Sequence, residues 1–90
     1  MRMRVIIRGR VQGVGFRWWL QETALRRKVD GWVRNLPDGS VEAELIGPDP
    51  DVKAVADLCA SGPPSARVTT LEQQVLPEQD APVSGFYIRR

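Results

Sequence analysis

Apolar and polar residues alternate from the first position. Met1, Met3, Val5, Ile7, Gly9 and Val11 fall on one side of a period-two pattern and Arg2, Arg4, Arg8 and Arg10 on the other, interrupted only by Ile6. Such alternation predicts a strand with one apolar and one wet face. Gln12 to Phe16, QGVGF, places two glycines in five residues and breaks the pattern; Arg17 to Arg27 then runs without Gly or Pro, as a helix does. Val29 to Leu36 returns to a β-rich composition. Pro37-Asp38-Gly39 reads as a hairpin turn whose glycine supplies a positive φ, and Val41, Ala43 and Leu45 alternate with Glu42 and Glu44 as the partner strand. Gly47-Pro48-Asp49-Pro50 stops that strand. Asp49 or Asp51 can cap a second helix reaching Ala60, on which Val52, Val55, Ala56 and Cys59 share one face. Ser61-Gly62-Pro63-Pro64 ends it. Ala66 to Leu76 is predicted as a fourth strand, Pro77 to Pro82 as a polar loop, and Phe86-Tyr87-Ile88 as a short last strand.

The order β-α-β-β-α-β with a terminal strand is the split βαβ, ferredoxin-like α+β arrangement, an antiparallel sheet with two helices on one face. Ninety residues, 42% hydrophobic and 27% charged with a net charge of +2, predict one domain over residues 1–90 and exclude a disordered chain. No apolar run approaches the roughly 18 residues of a membrane span, and MRMRVIIRGR lacks the apolar block of a signal peptide, so a cytoplasmic protein without a membrane partner is expected. Cys59 is the one cysteine and there is no histidine, which excludes an internal disulfide, zinc sites and His-based triads. No metal and no cofactor are expected. The basic residues are eleven arginines against Lys28 and Lys53, and arginine suits bidentate binding of carboxylate or phosphate.

Candidate chemistry concentrates in one loop. Gly13 to Arg17 lies where a strand feeds a helix, so backbone N–H groups that no helical turn satisfies converge there, and anions bind at such points. Gly13 and Gly15 let the backbone curl without Cβ obstruction, and Arg17 in the first turn adds a permanent positive fork. Taken alone, a bare G-x-G-F-R string is more often a tight connection with a solvated arginine, and it is the geometry around it that favours a site. A helix of eleven residues carries the chain about 16 Å away, and the six residues from Asp30 to Asn35 carry it about 20 Å back. Asn35 therefore returns to the loop's edge of the sheet, where its amide can both accept from and donate to one water; the alternative is a turn residue beside Pro37.

GRVQGVGFR, Gly9 to Arg17, together with GWVRNLPDG, Gly31 to Gly39, resembles the paired signatures of the acylphosphatases. Gly47, Cys59 with Gly62-Pro63, Ala66 with Val68, and Phe86 extend the resemblance over nearly the whole chain. It implies metal-free hydrolysis of the mixed anhydride between a carboxylate and phosphate. By match to the first motif, Arg17 and the amides of the loop Gln12, Gly13, Val14, Gly15 and Phe16 are similar to the family's phosphate cradle. By match to the second, Asn35 is similar to its water-positioning residue. The implied partner is a small-molecule acyl phosphate, with no nucleic acid and a monomeric chain. The residue inventory fits independently, because a carboxylate departs without protonation and a loose transition state asks mainly for charge stabilisation and positioning.

The chain departs from the family pattern at Arg27-Lys28-Val29, where an apolar-Gly-apolar triplet is often found. Arg27 then stands at a position expected to face the core, and Lys28 at one suited to a left-handed C-cap glycine. Gly15 replaces a residue that is bulkier in some relatives, which predicts a looser cradle. Trp18 and Trp19 lie roughly 100° apart on a helix and cannot fill one core slot, so one is expected to be partly exposed, for packing or an interface rather than as a lip for an acyl group. Trp32 is expected in the core, and Cys59 as a small hydrophobe. Arg2, Arg4, Arg8 and Arg10 are expected to pair with carboxylates such as Glu42 and Glu44. Two rival functions remain. An RNA-binding module shares the topology, but its aromatic signature belongs on the third strand, and Val41 to Ile46 has no aromatic residue. The other is a non-catalytic or carrier role like that of the acylphosphatase-like domain of a hydrogenase maturation protein, which the presence of both Arg17 and Asn35 disfavours.

Overall fold

Alternation along the first strand is realised as two differently solvated faces. The computed structural model describes residues 1–78 and 83–90, and in it the chain forms β1 (Arg2–Arg10), α1 (Phe16–Arg26), β2 (Asp30–Asn35), β3 (Val41–Ile46), α2 (Asp49–Cys59), β4 (Arg67–Leu76) and β5 (Phe86–Ile88). The strands build one sheet in the order β4-β1-β3-β2-β5. This is the ferredoxin-like α+β fold. The polar loop expected over residues 77–82 lies partly outside the described residues. No helix among the described residues is long and apolar enough to cross a membrane.

One expectation about the sheet is corrected. Its β1–β3, β1–β4 and β2–β3 pairs are antiparallel, but β5 runs parallel to β2, so the sheet is mixed. Three residues of period-two sequence carry no direction, and the pairing is set by where the chain re-enters the sheet. On the covered face, Val5, Ile7, Val33, Val41 and Leu45 are fully buried against Phe16, Leu20 and Ala24 of α1 and Val52, Val55, Ala56 and Cys59 of α2. Cys59 is thus the expected small hydrophobe, and burial pushes its thiol up to about 12.

The open face carries the arginines. Arg2 donates to Glu44, Arg4 to Glu42 at 2.6 Å, and Arg34 to the other oxygen of Glu42 at 2.7 Å, while Arg8 pairs with Glu72 on β4 and Arg10, also expected to pair, has no carboxylate partner among the described residues. Burial pushes the Glu42 carboxyl up, but the hydrogen bonds from Arg4 and Arg34 outweigh it and hold it below the usual carboxylate range. Trp32 is on this face too, half-buried between the guanidiniums of Arg34 and Arg89, which lie 5.4 and 4.6 Å from its ring centre. It is not in the core, because Val33 takes the inward position and neighbouring strand residues point to opposite faces.

Helix ends differ from expectation in detail. Lys28 has φ +57, the left-handed geometry anticipated for that position. The N–H of Val29 donates to the carbonyl of Ala24 at 2.9 Å and that of Lys28 to Leu25 at 3.2 Å, a Schellman turn. That turn brings Val29 into the core and leaves Arg27 exposed rather than facing inward. Neither Asp49 nor Asp51 caps α2: Pro48 is the N-cap, without a side-chain bond, and both aspartates lie in the first turn, where they complement the helix dipole. At the end of β1, the register against β4 shifts between Arg8 and Gly9, and a Cβ on Gly9 would fall 2.1 Å from the Arg67 carbonyl oxygen. This bulge is where the strand turns toward the loop.

Candidate active site

The loop after β1 leaves its amides free by construction. Gly15, with φ +78 and ψ +19, is the N-cap of α1, and no side chain caps it. The first helical bond runs from the Trp19 N–H to the Gly15 carbonyl at 3.0 Å, so the N–H groups of Phe16, Arg17 and Trp18 have no partner within the helix. The first turn holds no acidic residue, and among the described residues no carboxylate pairs with Arg17. Positive potential at this helix end is therefore uncompensated. Gly13 and Gly15 are needed for their φ values of +72 and +78 and not for space, since a Cβ on either would meet nothing within 4 Å.

Facing the loop is the far end of β2. Helix length and strand length bring Asn35 back as the sequence geometry anticipates, and one cleft is bordered by Val11, Gly13, Gly15, Phe16, Arg17, Trp18, Asn35 and Ile88. The Asn35 side-chain oxygen is buried and, among the described residues, has no hydrogen-bond partner. A buried unpaired acceptor costs about 1–3 kcal/mol, which a donor bound in the cleft would relieve.

Of the loop residues named from sequence, Gln12 and Val14 do not border the cleft. Gln12 turns away: its Nε2 donates to the carbonyls of Leu36 at 2.8 Å and Ser40 at 2.9 Å, tying the loop to the β2–β3 hairpin next to Asn35. Val14 packs against the core. Phe16 has a buried ring set edge-on to Trp19 at 5.3 Å, so only its backbone is available to the cleft. Trp18 is the exposed member of the tryptophan pair. Ile88 and Val11 were not anticipated. Val11 is the last residue of the alternating pattern and could have been read as the cleft floor, whereas Ile88 depends on the parallel docking of β5.

Fold and cleft together define a small ferredoxin-like α+β protein with a site suited to an anion. The acylphosphatase family model matches residues 3–88. An acylphosphatase of Thermococcus kodakarensis is 47% identical over 88 residues, which covers 98% of this chain and 94% of that protein. One from Nitrobacter hamburgensis is 52% identical over 71 residues, 79% of this chain and 72% of the relative. The crystal structure of the Bacillus subtilis acylphosphatase superposes with a TM-score of 0.93 at 35% identity, covering 99% of this chain and 98% of that one. The chain belongs to the acylphosphatase family.

Proposed function

We propose that the protein hydrolyses the carboxyl–phosphate bond of acyl phosphates, with Arg17 and the amides of the Gly13–Phe16 segment holding the phosphoryl group and Asn35 holding the water. Family membership supports the reaction, and the observation that carries the division of labour is the buried Asn35 oxygen beside the loop and Arg17, which has no hydrogen-bond partner among the described residues. A water that donates one hydrogen to that oxygen turns a lone pair toward phosphorus. The water oxygen bonds to phosphorus as the bond to the carboxylate oxygen breaks. One water proton passes to a phosphoryl oxygen, leaving a carboxylate and inorganic phosphate. Preorganised N–H donors and the guanidinium meet the charge on the equatorial oxygens without reorganisation.

No acid is required for a leaving carboxylate, which accords with a chain that has no histidine. The cleft's lining contains no carboxylate, cysteine or histidine, and no cluster of metal-ligating side chains occurs among the described residues. Arg2, Arg4, Arg8 and Arg34 are tied to Glu42, Glu44 and Glu72, which lessens the basic field an RNA-binding face would present. Phosphate release from acetyl phosphate, with added inorganic phosphate as a competitive inhibitor, tests the reading. Full activity is expected after dialysis against a chelator, and a loss restored by Mg²⁺ would show that the loop does not act alone.

A further inference from the structure

We infer that Gln12 is a positioning residue, which touches no substrate and holds the loop that carries the phosphoryl group at a fixed distance from Asn35, so that the water stays in line with phosphorus. This role rests on the division of labour proposed above between Arg17 and Asn35 and adds the residue that joins the two halves.

The sheet does not hold these halves together. β1 pairs with β3 only as far as Ile7 opposite Val41, whereas its pairing with β4 continues to Arg10. Past Ile7 the chain therefore follows β4, and the bulge between Arg8 and Gly9 changes its course. Asn35 closes β2 opposite Val41, and the hairpin turn over 36–40 comes next. Among the described residues, the only hydrogen bonds between the loop over 11–15 and this turn are the two that Gln12 donates to the Leu36 and Ser40 carbonyls. Packing does not brace the loop tip either, since a Cβ on Gly13 or Gly15 would meet nothing within 4 Å.

The two acceptors are the groups that close the turn. The Ser40 carbonyl also accepts from the Leu36 N–H at 2.9 Å, and the Leu36 carbonyl from the Gly39 N–H at 3.1 Å. Each carbonyl has a second lone pair, and a primary amide meets both with the two hydrogens of one nitrogen. Gln12 thereby fits the closed turn, whose first residue, Leu36, is bonded to Asn35 in the chain. Without Gln12 each carbonyl keeps its backbone donor, so losing the amide loosens the joint without stranding a buried acceptor. The phosphoryl half also stays whole, because the Trp19 N–H ties the Gly15 carbonyl to α1 at 3.0 Å, independently of the hairpin. What is lost is the relation between the halves, and a misplacement of about 1 Å can cost about 10²-fold in rate.

The test measures kcat on acetyl phosphate and the inhibition constant of inorganic phosphate in wild type, Gln12→Met, Asn35→Ala and the double variant, each checked for folding by urea titration. Methionine keeps the length of glutamine and removes its donors; Gln12→Glu, which also keeps the shape and removes the donors, is read the same way should the methionine variant not fold. Gln12→Met is expected to lose about 10- to 10²-fold in kcat and to keep the wild-type inhibition constant. Added to Asn35→Ala, it is expected to cause no further loss, because residues that act as a unit are not additive. An unchanged kcat in folded Gln12→Met, or an equal further loss in the Asn35→Ala background, would overturn the positioning role and leave the proposed function standing. Weakened phosphate inhibition in Gln12→Met would overturn it as well, by placing Gln12 on the phosphoryl group. A wild-type protein that releases no phosphate from acetyl phosphate would overturn both.

Discussion

Lys28 holds φ +57 with a full side chain, in a conformation that costs an L-residue about 1–2 kcal/mol relative to glycine. Glycine relieves that strain but gives the unfolded chain extra freedom, which opposes the gain by about 0.4–1 kcal/mol. Lys28→Gly is therefore expected to raise the unfolding free energy by about 0.5 kcal/mol in a urea titration, with turnover unchanged because the residue sits at the opposite end of α1 from the loop; clear destabilisation would contradict this. The position was legible in the sequence because it breaks a family pattern. Trp32 was not: its size suggested the core, but the alternation that buries Val33 turns it outward, where two arginines cover it. Gln12 was legible as a loop member only. Its two bonds to the hairpin carbonyls depend on tertiary placement that no local pattern encodes.

Among the elements, β1, β2 and β3 are joined on their open face through one carboxylate. Glu42 of β3 accepts from Arg4 of β1 and Arg34 of β2 while only 4% exposed. Its pKa lies below the ordinary 4.5 because those hydrogen bonds outweigh burial. A lowered carboxylate pKa contributes stability that is present above the ordinary value and is lost as pH falls through the folded-state value. Glu42→Gln is expected to cost about 1–3 kcal/mol at neutral pH, and its difference from wild type should shrink as denaturant titrations are repeated at pH values descending through 4.5. A constant difference would contradict the charge-based account. The Arg4 pair was legible in outline, since arginines of β1 face the glutamates of β3, although the register sets Arg4 opposite Glu44 and the contact with Glu42 is diagonal; the Arg34 pair, directly across from Glu42, was not anticipated. The direction of β5 was not, since its three residues fit either orientation.

At the scale of the whole molecule, the site exists because β1 and β2 are both antiparallel to β3 and so point the same way. Their ends present the loop and Asn35 to one cleft although eighteen positions separate Arg17 from Asn35 in sequence (35 − 17). Helix rise and strand rise sufficed to anticipate that meeting, whereas Ile88 entered only with the docking of β5. The central claim is that Arg17 serves the phosphoryl group and Asn35 the water. It is tested most directly by measuring turnover of acetyl phosphate together with inhibition by inorganic phosphate in Arg17→Ala and Asn35→Ala beside the wild type. Arg17→Ala is expected to lose about 10²–10³-fold in turnover and to bind inorganic phosphate weakly, while Asn35→Ala loses turnover strongly and keeps its phosphate affinity. A folded Arg17→Ala protein retaining half the wild-type rate, or an Asn35→Ala protein whose phosphate affinity falls along with its turnover, would contradict it.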